Sequence, residues 1–378
     1  MDIKNFKAGR YIKQYKYSSF QPEPVNHTWH ISDPVINKLL SDADIKLGEL
    51  NAFSRFIPDV DFFIKMHIAK EATMSSRIEG TKTNLEEALQ NERDIDPEKR
   101  NDWQEVNNYI KALNHAINSL QKLPISNRLL KKAHKILLSG VRGKHKLPGE
   151  FRNSQNWIGG ASLQDAAFIP PHHNYVPDLM SDLEKFLNND KLPVPHLIRI
   201  AIAHYQFETI HPFLDGNGRL GRLLITLYLM SNKILIRPAL YLSDFFERKR
   251  SLYYDYLTAV RTKNDLTQWL SFFLTGVLQT AQNAIHSFNR ITRLRQEIEE
   301  TRIVKVGKRM PRAKQLVNYL YSKPVVDMAE IADALEVDIS TAHRLIKDFE
   351  KLNILKEKTG FKRNRIFVFE EYLKLFER

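Results

Sequence analysis

A mainly α-helical fold is what this sequence predicts. A β-hairpin flap is set into a helical core, with a helical region before it and a small helix-and-strand unit after it. Three observations carry the prediction. Apolar residues recur at helical spacing over much of the chain, as with Leu39, Leu40, Ile45, Leu47 and Leu50. Strand signals are short and confined to residues 156–158 and 167–169, inside a stretch rich in Gly, Pro, Asn and Gln at 143–174. The helical run 197–207 is followed, across a short loop, by the apolar run 223–230, which reads as a buried helix.

In chain order, residues 1–35 carry Pro22, Pro24 and Pro34 and read as an irregular arm. From Ile36 to Leu120 the pattern is helical, and the amphipathic stretch 61–72 runs into residues 75–80, where Gly80 is a helix stop. This sets a first region at 1–120. A core unit follows at 121–265, with helices at 127–142 and 175–190 flanking the flap and further helices from Leu197 onward. Residues 266–302, rich in Arg, Gln and Glu towards their end, read as a helical connector. Arg302, Lys305, Lys308, Arg309, Arg312 and Lys314 then mark a basic linker into the last unit, 303–378. There, helices at 313–322, 328–335 and 341–349 precede strands at 354–358 and 365–369 around Thr359 and Gly360. That order resembles a winged helix-turn-helix domain.

Composition bounds the function. The chain has no cysteine, which excludes disulfides, thiolate zinc sites and cysteine nucleophiles and suits a reducing compartment. Its first residues lack the apolar core of a signal peptide. No apolar run reaches the ~18 residues of a membrane span. A cytoplasmic protein without a membrane partner is expected. The net charge of +13 on 378 residues opens a nucleic-acid reading beside one of simple solubility.

The densest chemistry lies at His211-Pro212-Phe213-Leu214-Asp215-Gly216-Asn217-Gly218-Arg219-Leu220-Gly221-Arg222. A loop that ends on a helix N-terminus is a phosphate cradle, because unpaired N–H groups and the helix dipole both face the anion. Glycines let backbone amides approach oxygens closely. The segment is not a P-loop, since no strand precedes it and the Gly-Lys-Ser/Thr ending is absent. His211 can accept a proton near neutral pH. Asp215 offers a carboxylate to Mg²⁺ or caps a turn. Gly216, Asn217 and Gly218 form an anion hole or an Asn-Gly turn. Arg219 and Arg222 present forked donors to phosphate from one side of a helix start.

The loop resembles the core motif of the Fic/AMPylator family of protein adenylyltransferases, His-x-Phe-x-[Asp/Glu]-Gly-Asn-Gly-Arg-x-x-Arg, at every fixed position. The stretches Gly149-Glu150-Phe151-Arg152, Trp157-Ile158-Gly159-Gly160 and Phe168-Ile169-Pro170-Pro171-His172 resemble the family's substrate flap. Ser75-Ser76-Arg77-Ile78-Glu79-Gly80 matches its inhibitory pattern [Ser/Thr]-x-x-x-Glu-[Gly/Asn], placed N-terminal to the core. The resemblance implies a Fic helical core at 121–265 and a defined chemistry. His211 would deprotonate a Tyr, Thr or Ser hydroxyl, which attacks the α-phosphorus of ATP with Mg²⁺ on Asp215. Arg222 would hold the γ-phosphate, with Asn217 fixing the α-phosphate through its amide. Tyr253 and Tyr254 would flank the adenine or simply fill the core. Glu79, sharing a helix face with Ser75, would pair with Arg222 and misplace ATP. The flap at Trp157, Ile158, Gly159, Ile169 and Pro170 would dock an extended target by strand addition, with Ile169 against the modified side chain. His172 and His173 form a weak metal pair without further ligands.

Alternatives stay open at this level. The chain could be a DNA-binding regulator acting through 303–378, with His343, Arg344 and Lys347 on the recognition helix. It could use another donor, or remove AMP rather than add it. Self-modification and a homodimer are expected from the resemblance alone.

Overall fold

The computed structural model describes residues 1–56, 60–361 and 363–376, without the side chains of Phe56, Arg142 and Lys144. The helical reading of 36–120 therefore crosses 57–59 outside the described residues, as do position 362 and the last two residues of the unit 303–378.

The N-terminal arm is not irregular. Strands β1 (Gly9–Lys13) and β2 (Ser18–Pro22) pair antiparallel from Gly9↔Pro22 to Lys13↔Ser18. Gly9 is required there, because a Cβ would lie 2.2 Å from the Gln21 carbonyl oxygen. Pro22 misled the sequence reading, yet it ends an edge strand, where a missing donor costs nothing.

Helices α1 (Pro34–Phe56), α2 (Val60–Ile78), α3 (Leu85–Ala88) and α4 (Arg100–Ser119) build the first region. Next come α5 (Asn127–Leu137), α6 (Val176–Asn188), α7 (His196–Ile210) and α8 (Asn217–Ser231). Every residue of α7 from Leu197 to Ile210 is buried, the polar Arg199, His204, Gln206, Glu208 and Thr209 among them. It packs on α6 and α8 at the centre of the molecule. Two shorter helices, α9 (Ser243–Arg248) and α10 (Arg250–Lys263), lead to α11 (Leu266–Glu297).

The stretch 266–302 differs from the connector expected of it. Trp269, Phe273, Val277 and Phe288 of α11 are fully buried, and the helix lies along α1, α7 and α10. The Trp269 indole donates to the Ala201 carbonyl at 2.9 Å. Charged residues near its end concealed an apolar face that runs its whole length.

The last unit holds α12 (Met310–Ser322), β3 (Val325–Asp327), α13 (Met328–Ala334), α14 (Ile339–Lys351), β4 (Lys356–Glu357), β5 (Ile366–Val368) and α15 (Glu370–Leu373). Its antiparallel sheet runs β3-β5-β4. Asp327 and Glu330 form a capping box on α13, and Asp338 caps α14. Arg344 and Lys347 of α14 are exposed. This unit sits on α2: the ring of Phe63 meets Tyr321 at 5.8 Å, and His67 meets Phe376 at 5.2 Å. Among the described residues no helix is long and apolar enough to cross a membrane.

Candidate active site

The catalytic loop exists because α7 stops abruptly. His211 adopts the left-handed conformation (φ 50°) and its N–H closes the helix on the Phe207 carbonyl at 2.9 Å. Gly216, also left-handed (φ 75°), turns the chain into α8. The N–H groups of Asn217, Gly218 and Arg219 open that helix without intrahelical partners, which makes its start an anion seat.

Side chains from distant elements fix the loop. Asn217 brackets Phe213: its Oδ1 accepts the Phe213 N–H at 2.8 Å, and its Nδ2 donates to the Phe213 carbonyl at 2.8 Å. One of the two Nδ2 hydrogens is thus spent on the loop, and the other, with the backbone N–H at the start of α8, is what Asn217 can offer an anion. Arg152 donates to the His211 carbonyl at 3.0 Å, and Asn156 to the carbonyls of Phe213 at 2.9 Å and His211 at 3.3 Å. His134 stacks on Phe213 at 3.9 Å. Its Nδ1 accepts the Gly149 N–H at 2.8 Å, so Nε2 carries the proton and donates to the Asp215 carbonyl at 2.9 Å.

The imidazole of His211 is half-buried, and Nδ1 has no hydrogen-bond partner. Burial, and then the charges of Arg152 and Arg261, push its pKa down to about 4. The ring is therefore neutral at pH 7 and able to take a proton.

Arg222 is buried and held from the end of α2. Its Nε donates to Ser75 Oγ at 2.8 Å, and Nη2 to the Ser75 carbonyl at 2.9 Å and Glu79 Oε1 at 2.7 Å. Burial works against its charge, but the Glu79 carboxylate raises its pKa above the ordinary arginine range. Glu79 keeps about a third of its side chain exposed (34%). Burial pushes its pKa up, yet Arg222, followed by Arg219 and His211, brings it below the usual glutamate range. The carboxylate also presses on the start of α8, since a Cβ at Gly218 would come within 2.3 Å of Glu79 Oε1. Glu79 thus lies where the helix N-terminus and Arg222 converge.

The other predicted residues separate into those at this centre and those beside it. Arg219 is buried against Glu105 of α4 at 3.2 Å and reaches Asp215 at 3.7 Å, so its guanidinium braces the loop. The Asp215 carboxylate accepts the Gly216 N–H at 2.6 Å and keeps 42% of its side chain exposed. No cluster of three or more His, Asp or Glu fit for a metal occurs among the described residues. Tyr253 is core: its hydroxyl bonds His204 Nε2 at 2.8 Å. Tyr254, its neighbour in α10, is 38% exposed, with the Arg250 guanidinium over its ring at 5.9 Å.

The flap is a single bridge, Ile158↔Phe168, with Gly159 and Gly160 both at positive φ and Trp157 40% exposed. Ile169 is buried, and its carbonyl already accepts the Phe20 N–H of β2 at 2.9 Å. The backbone at Ile169 is thus paired with the chain's own hairpin, and the Pro170 carbonyl beside it accepts from Gln155 at 3.0 Å. His172 and His173 stack on each other at 4.1 Å.

Sequence reasoning missed His134, Arg152, Asn156, Glu105 and Glu208. Arg152 stood inside a quoted family stretch, yet its bonds go to backbone carbonyls far along the chain, and no spacing reveals those.

Residues 37–118 match the family model described as Fic/DOC family N-terminal, and residues 124–229 match the Fic/DOC family model. The protein adenylyltransferase Fic of Culex quinquefasciatus is 37% identical over 125 residues, covering 33% of this chain and 22% of that protein. That of Drosophila melanogaster is 31% identical over 154 residues, covering 40% and 28%. The chain thus spans less than a third of these relatives' length. Among solved structures, a Fic family protein from Desulfovibrio desulfuricans G20 superposes with a TM-score of 0.58 at 20% identity, covering 91% of this chain and 98% of that one. Fic-1 from C. elegans gives 0.54 at 22%, covering 67% and 73%. These structures share the fold.

Proposed function

Since this chain belongs to the Fic/DOC family, we propose that it is a protein adenylyltransferase, moving AMP from ATP to a hydroxyl side chain of a target protein or of itself, and held in check by Glu79. The observation that carries this reading is the Glu79 carboxylate on Arg222 at 2.7 Å, over the start of α8. An acidic side chain stands there in the place of a phosphate.

In the active arrangement Glu79 leaves and the γ-phosphate takes Arg222. The N–H groups of Gly218 and Arg219 face the remaining phosphate oxygens. His211, neutral at pH 7, accepts the hydroxyl proton of a Tyr, Thr or Ser. The hydroxyl oxygen bonds to the α-phosphorus, the bond from that phosphorus to the bridging oxygen breaks, and pyrophosphate leaves. Asp215, exposed and bonded at one oxygen only to a backbone N–H, fits a Mg²⁺ site of one carboxylate plus phosphate oxygens. Bound there, Mg²⁺ would neutralise charge on the leaving pyrophosphate. Tyr254 offers a ring to the adenine.

Intact-mass spectrometry of the wild type, Glu79→Gly and Glu79→Gly/His211→Ala after incubation with ATP and Mg²⁺ tests the whole assignment. AMP should appear mainly on Glu79→Gly and vanish in the double variant. Equal labelling of wild type and Glu79→Gly would remove the brake, and labelling that survives loss of His211 would remove the base.

A further inference from the structure

Glu208 has no task in the reaction above, yet it lies at its centre. It sits on α7 three residues before His211, is only 7% exposed, and its Oε1 has no hydrogen-bond partner. Its carboxyl presses on α8 at Gly221, where a Cβ would come within 2.3 Å of Oε1. The residue before Arg222 is therefore glycine to leave room for this carboxyl.

Every neighbouring element brings a charged or titratable group to it. Arg222 comes from α8, Glu79 from the end of α2 and Arg261 from α10. Tyr253 and Tyr254 of α10 feel its charge, and its own carbonyl lies close to the His211 ring. Burial, the largest influence, pushes the Glu208 carboxyl up to about 7; Arg222 and Arg261 oppose this and Glu79 adds to it.

Two carboxyls therefore address one buried guanidinium. Glu79 holds it by a hydrogen bond, and Glu208 feels its charge while its Oε1 has no hydrogen-bond partner among the described residues. In a dry site two anions beside one cation cannot both stay ionised at little cost, and the hydrogen-bonded one keeps its charge. We propose that Glu208 is a positioning residue for Arg222: it carries a proton whenever an anion occupies Arg222, and it ionises to take the guanidinium when the anion leaves. This rests on the reading that the ATP γ-phosphate replaces Glu79. ATP binding to the released site then takes up one proton at Glu208.

The full-length Glu79→Gly chain, with and without Glu208→Gln, tests this through KM and kcat for ATP from pH 6 to 9. Glutamine is the isostere of the protonated acid, so it fixes the binding-competent form. With Glu208 present, KM should rise several-fold more between pH 6 and 7 than in the Gln variant and level off above pH 7, where the occupied site no longer holds the proton. The kcat profiles should run parallel. Titration of ATP and of His211 is common to both chains and cancels in the comparison. Parallel KM profiles overturn the proposal. Should Glu208→Gln not fold, calorimetry of ATP binding to Glu79→Gly at pH 6, in two buffers of different ionisation enthalpy, should read most of one proton taken up; none overturns it. No ATP binding at all by Glu79→Gly overturns the donor reading, and this inference with it.

Discussion

Glycine at position 218 separates two demands on one small space. Its missing side chain lets Glu79 Oε1 and Arg222 Nη1 approach to where a Cβ would stand 2.3 Å and 3.0 Å away. If an ATP phosphate uses the same seat after Glu79 leaves, a methyl group there obstructs it too. Gly218→Ala in the Glu79→Gly background should therefore lose about 100-fold in transfer rate, the usual cost of moving a reacting group by about an ångström. Radiolabel transfer from α-labelled ATP measures this. Undiminished transfer would mean that brake and phosphate occupy different places. The residue scale is also where the sequence was most legible. His211, Asp215, Gly216 and Arg222 are consecutive enough for spacing to declare their chemistry. Asn217, Arg219 and Tyr253 were recognised as site residues, but the structure shows them bracing the loop, sitting against Glu105 and filling the core. Their partners are far away in sequence, and no local pattern carries that information.

Helix α2 links Glu79, the proposed brake, to three distant parts of the chain. Glu71, one turn before Ser75, accepts from Tyr109 at 3.0 Å and from the Ser243 N–H at 3.2 Å, tying α2 to α4 and α9. Near its other end Phe63 packs on Tyr321 and Tyr372 of the C-terminal unit. A helix transmits displacement along its axis, so loosening this contact should loosen Glu79. Phe63→Ala removes a side chain that is 1% exposed, with a typical cost of about 3–5 kcal/mol. Self-labelling of the otherwise wild-type chain should rise several-fold, with no change when Glu79→Gly is already present. Label per chain, normalised to the folded fraction by circular dichroism, reads the difference. An equal effect in both backgrounds would mean that Phe63 acts on stability alone. None of these ties was visible from helical periodicity, which marks Phe63 as apolar without saying what covers it. The N-terminal hairpin escaped notice for a related reason, since its place on the flap depends on long-range contacts of Phe20, its N–H on the Ile169 carbonyl and its ring on Phe168.

Across the whole molecule, burial of titratable groups sets how the fold responds to acid. Burial first of all pushes His67 and His204 down to about 3, and His134 and His211 down to about 4. The unfolded chain protonates each near 6.5, so between pH 6.5 and 4.5 it binds four protons that the native state does not. Burial also lowers His173 and His196. Three carboxyls act in the opposite sense. Glu208, raised to about 7, and Glu71 and Asp44, raised by burial, bind protons in the native state before the unfolded chain does. Glu79, held low by Arg222 against its burial, adds to acid lability only below its ordinary value of 4.5. Six lowered histidines against three raised carboxyls leave the unfolded state the stronger proton binder, so stability must fall with pH in this window. Each net proton contributes about 1.4 kcal/mol per pH unit, which predicts a loss of about 2–3 kcal/mol per unit below pH 6. Urea unfolding at pH 7, 6 and 5 measures it directly. Stability that stays level or rises down to pH 5 would mean that these histidines take up protons inside the fold. His211 would then already be charged at pH 5, and transfer would fall with acid along the same curve as His211 protonation rather than with unfolding.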